Sequence, residues 1–152
     1  MTHADRLIRL EEASIGRKKD SSMMAALYLL SSTSDMFAIS RSYVSKQGID
    51  FDGMKKQTSQ MSGNTNLVID IAYNLYTLFD DCRVEPSRIA NLEYPYMTKV
   101  CEAIYVASGK CNLKLFKDEA DINRLELDLR PYEQTKEDEV GVLNIAIILA
   151  QK

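Results

Sequence analysis

The sequence predicts a mainly α-helical single domain, a bundle of about five to seven helices with a small β-hairpin near residues 112–130. Three observations indicate this fold class. An apolar stripe at helical spacing runs through 65–80, and the stretch from Pro95 to Gly109 begins and ends as helices do. Residues 124–130 alternate strictly between charged and leucine side chains, which is typical of a half-buried strand.

The first part of the chain contains helix signals at regular intervals. Thr2 followed by Asp5 is a variant of the capping box, in which each side chain bonds the other residue's backbone N–H. Asp20 or Ser21 provides the next cap, and Ser34 begins a third segment. The helical segments predicted in this part are 2–16, 21–32, 34–48 and 52–61.

The most apolar stripe belongs to the segment 65–80, which we therefore place at the centre of the bundle. Its members are Leu67, Val68, Ile71, Ala72, Leu75, Leu78 and Phe79. Pro86 then opens a short helical turn, Pro95 begins another helix, and Gly109 ends that helix.

The last part of the chain changes character. Residues 112–116 and 124–130 predict the two strands of a hairpin, joined by an acidic linker. Residues 139–150 are rich in Val and Ile, which suits a buried strand, but acidic residues before them and Lys152 after them suit a helix dipole, and we favour helix. The whole chain is read as one domain, with a helical core over 2–109 and the β element and apolar segment over 112–152.

The sequence offers little catalytic apparatus. The single histidine, His3, is expected on a frayed terminus, and no GxSxG motif is present. The cysteines at 82, 101 and 111 do not have the spacing of a zinc site, and an odd number of them favours a reducing compartment. We predict no catalytic residue, no cofactor and no metal. The charged N-terminus and the short apolar runs predict a cytoplasmic protein without a signal peptide or a membrane span.

Two binding alternatives remain open. The polar run at Ser62, Gly63 and Asn64, with Lys55 and Lys56 before it, resembles a phosphate-binding helix start but lacks the glycines and the lysine of a P-loop, so a helix cap is the preferred interpretation. An RNA-associated small subunit would use a short basic set, although the net charge of −3 makes nucleic acid an unfavoured partner. That set comprises Arg17, Lys18, Lys19, Arg41 and Lys46.

The preferred function is therefore a non-enzymatic protein–protein interaction module that forms a homo-oligomer. Tyrosine combines a large contact area with a polar group and is common at interfaces, and three tyrosines fall between residues 94 and 105. The second half of the chain is acidic, which suggests that the hairpin contributes charge. The predicted interface residues are Tyr94, Tyr96, Tyr105, Glu126 and Asp128.

Three stretches together resemble a family of short, mostly helical, uncharacterised proteins of bacteria and their mobile elements. They are "AALYLLSS" at 25–32, "IAYNLYTLF" at 71–79 and "CEAIYVASG" at 101–109. The resemblance covers residues 3–109, and it departs from the family's "AFNLYNG" pattern over 73–78. It implies a helical core with function unassigned and no active site to transfer. The missing catalytic apparatus, the acidic second half and the terminal apolar segment lead us to expect an adaptor or inhibitor carried by a phage or other mobile element, for example an inhibitor of a host defence system.

Deletion of residues 140–152 tests whether the terminal apolar segment serves association. We expect the truncated chain to keep its helical circular dichroism spectrum but to lose oligomerisation in sedimentation velocity, because exposed apolar segments are commonly buried against a partner. A truncated chain that unfolds as a monomer would instead place this segment in the core.

Overall fold

The computed structural model describes residues 1–16, 18–77 and 84–134. The described residues are mostly α-helical and form two antiparallel two-stranded sheets, and the mainly α prediction is confirmed. The elements in chain order are α1 (His3–Ala13), α2 (Ser21–Leu30), α3 (Ser34–Ser40), β1 (Val44–Ser45), β2 (Gly48–Ile49), α4 (Phe51–Thr58), α5 (Gly63–Thr77), α6 (Pro86–Ala90), α7 (Tyr96–Ala107), β3 (Asn112–Lys117) and β4 (Asn123–Asp128).

The helix α2 is the most buried element of the described residues, whereas the sequence predicts that the segment 65–80 lies at the centre of the bundle. Eight of its ten residues are buried, because it is apolar on every side and such helices pack inside the core. It lies against α5 and α7 over its length and also touches α1 and α3. The predicted apolar stripe faces α2 through its first half, where Leu67, Val68 and Ile71 are buried.

Most predicted helix starts are found at the expected residues. Thr2 and Asp5 form the full capping box of α1, and the Asp20 carboxylate accepts the Met23 N–H at the start of α2. The helix α3 begins at Ser34 as predicted, and Thr33 caps it by accepting the Met36 N–H. These caps satisfy backbone N–H groups that have no partner within the helix.

The predicted helix over 34–48 is wrong in its second half. The helix α3 ends at Ser40, and the chain continues as the small hairpin β1–β2, in which Val44 pairs with Ile49. Gly48 adopts a φ of 124°, a left-handed conformation that a helix excludes and that glycine tolerates. Val44 turns inward and is buried in the core.

The hairpin predicted near 112–130 is confirmed as β3 and β4. The strands pair antiparallel with Leu113 opposite Leu127 and Leu115 opposite Leu125, so the leucines share one face as the alternation predicts. Asp121 in the turn takes a φ of 59°, a conformation that aspartate tolerates better than most residues. Residues 78–83 and the predicted segment 139–150 lie outside the described residues.

The first turn of α1 is fixed to the carboxyl end of α2 by hydrogen bonds, so the expectation that His3 lies on a frayed terminus is wrong. His3 Nε2 lies 3.0 Å from the Tyr28 carbonyl oxygen at the end of α2. Arg6 is only 8% exposed, and its guanidinium donates to the carbonyl oxygens of Ser31 at 2.7 Å and Ser32 at 2.8 Å. A cation at a helix carboxyl end also complements the helix dipole.

The same turn fixes the hairpin. The Thr2 hydroxyl donates to the Asn123 carbonyl oxygen at 3.0 Å, and the Asn123 amide donates to the Asp5 carboxylate at 2.7 Å. These bonds hold β4 against α1. Among the described residues, the pair of β4 and α1 is the main contact between the hairpin and a helix. The hydrogen bond from Asn123, with those from Thr2, lowers the pKa of Asp5 to about 2.

Replacement of Arg6 by Leu should lower the free energy of unfolding by about 3 kcal/mol, because two buried carbonyl groups lose charged donors. Urea denaturation measures this change. Arg9→Leu is the matched control, since Arg9 lies on the same helix but is exposed, and its effect should stay within about 0.5 kcal/mol. Equal effects of the two substitutions would show that Arg6 does not anchor α2.

Candidate functional site

Exposed apolar side chains are concentrated in one part of the chain. Of the eleven large hydrophobic residues that are exposed among the described residues, eight lie between positions 94 and 132. They are Tyr94, Met97, Ile104, Tyr105, Leu115, Phe116, Ile122 and Tyr132. Single exposed apolar residues are ordinary, whereas larger groups of them are typical of interaction sites.

The helix α7 is apolar on two faces. Its inner face buries Val100, Ala103 and Val106 against the core. Its outer face exposes Met97 and Ile104, at 44% and 45%, together with Tyr105. One apolar face is enough to pack α7 against the core. Its second apolar face is therefore available to contact another surface.

One ring contact joins the outer face of α7 to the segment that follows β4. The rings of Tyr105 and Tyr132 meet edge to face with their centroids 5.7 Å apart. On β3, Leu113 packs towards the core while Leu115 and Phe116 are exposed, and as consecutive strand residues these two point to opposite faces of the hairpin. We use the name α7–hairpin surface for the exposed apolar side chains of these elements, which are Met97, Ile104, Tyr105, Leu115, Phe116 and Tyr132.

The predicted interface residues have different environments. Tyr94 is 90% exposed and Tyr105 belongs to the α7–hairpin surface, so both can contact a partner. Tyr96 is half-buried and packs against the core. Glu126 is exposed on β4.

Asp128, the remaining predicted interface residue, has little exposed surface and is paired within the chain. Its carboxylate is 8% exposed and binds the Lys114 ammonium at 2.8 Å and the Arg130 guanidinium at 2.6 Å. The hydrogen bonds from Arg130 and then Lys114 hold the pKa of this carboxyl far below its usual range. The alternation of β4 turns Asp128 away from the core leucines, but two basic side chains then cover it.

The hairpin is close to charge balance. Residues 112–130 contain four basic and five acidic side chains. Asp118 binds Arg124 at 2.7 Å and Asp121 binds Lys117 at 2.8 Å, so two of the three acidic side chains of the linker are paired within the hairpin. The hairpin therefore presents its apolar residues among charges that are mostly paired.

The alternative anion site does not converge. The Ser62 hydroxyl accepts the Thr65 N–H at 3.4 Å, as expected of a helix cap. Lys55 is bound to Asp70 at 2.8 Å, and its ammonium lies 5.8 Å from the centre of the Tyr73 ring. Gly63 and Lys56 are exposed, and Asn64 is half-buried in the first turn of α5.

The basic set of the RNA alternative is partly neutralised. Lys19 lies 3.4 Å from Glu11, while Lys18, Arg41 and Lys46 are exposed. Arg17 lies outside the described residues.

The sequence did not predict a buried polar network between α1, α2 and α7. The Tyr28 hydroxyl donates to the Glu102 carboxylate at 2.5 Å, and that carboxylate binds Lys99 at 2.7 Å. The His3 ring meets the Tyr28 ring edge to face at 4.6 Å. No local pattern signals this network, because Tyr28 and Glu102 are 74 positions apart.

Burial favours the neutral forms of the histidine and the tyrosine in this network. Burial lowers the pKa of His3 to about 4, so the ring is neutral at physiological pH. Burial and the hydrogen bond to Glu102 raise the pKa of Tyr28 well above its usual range, so the phenol keeps its proton. Tyr28 is 3% exposed, which leaves no room for a substrate at its hydroxyl. No group of three or more His, Cys, Asp or Glu side chains in the described part of the chain is placed to hold a metal ion.

Comparison with known proteins finds no matching family model, no matching curated protein and no matching solved structure. The family resemblance of residues 3–109 therefore stays a prediction. None of the helices among the described residues is long and apolar enough to cross a lipid bilayer.

The pH dependence of stability tests the buried state of His3. Its folded pKa of about 4 lies below the ordinary 6.5, so the unfolded chain takes up a proton across this window while the folded chain does not. Stability should therefore fall as the pH drops from about 6.5 to about 4, with a histidine contribution of about 3 kcal/mol. His3→Gln, measured by urea denaturation at each pH, should remove this contribution.

Carboxylates remain in both proteins, so the difference between the two pH profiles isolates the histidine, which is the only one in the chain. Parallel profiles for the wild-type protein and His3→Gln would contradict the buried, neutral state of His3.

Proposed function

We propose that this protein is a non-enzymatic protein–protein interaction module that associates with a second copy of itself through the α7–hairpin surface. The observation that carries the proposal is the concentration of exposed apolar side chains on the outer face of α7 and on β3. Interfaces between identical chains are enriched in such residues, and aromatic and methionine side chains are frequent in their centres.

Charge favours a second copy as the partner. The acidic side chains Asp118, Asp121 and Asp128 are bound by basic side chains of the same hairpin. Lys99 and Glu102 form a further pair on α7. A surface whose charges are mostly paired repels its own copy little, and a two-fold interface requires such self-complementarity.

A role as an adaptor or inhibitor carried by a mobile element extends this proposal, and its support is the lack of catalytic motifs, the acidic second half and the terminal apolar segment of the sequence. A self-associating module suits that role, because a dimer presents its remaining surface twice and can bind a bivalent target with greater avidity.

Sedimentation velocity across a wide range of concentration tests the self-association. The wild-type chain should form dimers or larger closed oligomers, and Ile104→Glu and Leu115→Glu should each shift the equilibrium towards monomer by about tenfold or more. Each substitution places an unpaired charge in an apolar contact, and a tenfold change corresponds to about 1.4 kcal/mol.

Met61→Glu is the matched control. Met61 is 46% exposed, close to the 45% of Ile104 and the 43% of Leu115. It lies before α5 and outside the α7–hairpin surface. It should leave both the oligomeric state and the circular dichroism spectrum unchanged. A wild-type chain that stays monomeric at every concentration, or equal effects of the three substitutions, would overturn the proposal.

A further inference from the structure

Three aromatic rings meet where α4 packs against α5, on elements that do not contribute to the α7–hairpin surface. The ring centroid of Phe51 lies 4.8 Å from that of Tyr73 and 5.6 Å from that of Tyr76. Phe51 is buried and forms the base of the cluster, while the two tyrosines are half-buried. The cluster therefore presents tyrosine ring surface next to solvent.

A cavity of about 140 Å³ opens beside these rings. The described residues that line it are Ile49, Asp50, Phe51, Asp52, Tyr73 and Tyr76. Among these six, Asp50 and Asp52 carry a negative charge and none carries a positive charge. The volume corresponds to roughly four or five waters at about 30 Å³ each, which suits a compact head group and is too small for a nucleotide.

The backbone fixes one of the two carboxylates. Asp50 caps α4 by accepting the Gly53 N–H at 2.9 Å, and its own N–H donates to the Tyr43 carbonyl oxygen at 2.9 Å. A Cβ atom at position 53 would collide with the Asp50 carboxylate and the Tyr43 ring, so glycine lets both approach closely. The negative charge of Asp50 is thus held at the cavity before any ligand arrives.

The chain already places one ammonium group near these rings. The Lys55 ammonium lies 5.8 Å from the centre of the Tyr73 ring, within the distance of a cation–π contact, while Asp70 neutralises its charge at 2.8 Å. Asp50 and Asp52 are not matched by this lysine, which lies outside the lining of the cavity. Among the described residues around the cavity, the negative charges of Asp50 and Asp52 prevail, so the electrostatic potential there favours a further cation.

We propose that this cavity binds a compact organic ammonium ion, such as a quaternary ammonium head group or a methylated lysine side chain. The faces of Tyr73 and Tyr76 supply the negative side of their quadrupoles, and Asp50 and Asp52 supply formal charge at the rim. Aromatic rings combined with carboxylates select such cations over inorganic ones, because the methyl groups pack on the rings while the charge stays close to the acids.

Titrations followed by two-dimensional NMR of the full-length chain test the site. The probes are tetramethylammonium chloride, choline chloride and the neutral carbon analogue of choline, 3,3-dimethylbutan-1-ol, at constant ionic strength. Both cations should give saturable shifts confined to the amides of 49–53 and 73–76, and the neutral analogue should bind at least about tenfold more weakly. Equal binding of the neutral analogue, or no saturable shift with either cation, would overturn the proposal.

Substitutions locate the binding within the cavity. Asp52→Asn removes an exposed charge and should weaken tetramethylammonium binding by about tenfold, and Tyr76→Leu should weaken it at least as much. Tyr94→Leu, at the most exposed tyrosine of the described residues, should change nothing. If Tyr76→Leu does not fold, Asp52→Asn and the neutral analogue still decide the question, and unchanged affinity in Asp52→Asn would contradict the site.

The source of the ammonium group is distinguished by a second comparison. A short peptide that contains trimethyllysine is titrated beside choline. Tighter binding of the peptide would identify a protein side chain as the ligand, and tighter binding of choline would identify a small metabolite. Either result requires the same cavity, and failure of both would overturn the proposal without affecting the α7–hairpin surface.

Discussion

The structure depends on how the carboxyl end of α2 is satisfied. This helix is apolar on every side and lies inside the core, so its last carbonyl groups cannot reach water. Arg6 and His3 reach these carbonyls from α1. Because α1 is fixed in this way, its first turn can hold β4 through Asn123, and α2 in turn holds α7 through the bond from Tyr28 to Glu102.

The ionisable residues that link α1, α2 and α7 are bound to one another or to the backbone. His3 lies against the Tyr28 carbonyl oxygen, the Tyr28 hydroxyl donates to Glu102, and Tyr28 is closed to solvent. Burial lowers the pKa of His3 and raises the pKa of Tyr28, which favours the neutral form of both side chains at physiological pH. The exposed apolar side chains lie elsewhere, on the outer face of α7 and on β3.

Local signals predicted the local structure well. The capping box at Thr2 and Asp5, the helix that begins after Pro95 and the leucine alternation of β4 each depend on neighbours within a few positions, and each is found. One error is local, because the helix expected over 34–48 ends at Ser40 and Gly48 turns the chain into the hairpin β1–β2. Other features depend on distant partners. His3 contacts a carbonyl oxygen 25 positions away instead of fraying, and Asp128 is covered by Lys114 from the opposite strand. The outer face of α7 could be read from helical spacing only after its inner face was known.

The central claim is that the buried polar groups hold the fold while the α7–hairpin surface carries the interaction. Hydrogen–deuterium exchange of the full-length chain, compared between dilute and concentrated solutions, tests this claim most directly. Protection of the backbone amides from exchange should increase with protein concentration in α7, β3 and β4, and should stay unchanged in α1, α2 and α4. Increased protection confined to α1 and α4, or no change with concentration anywhere in the chain, would contradict it.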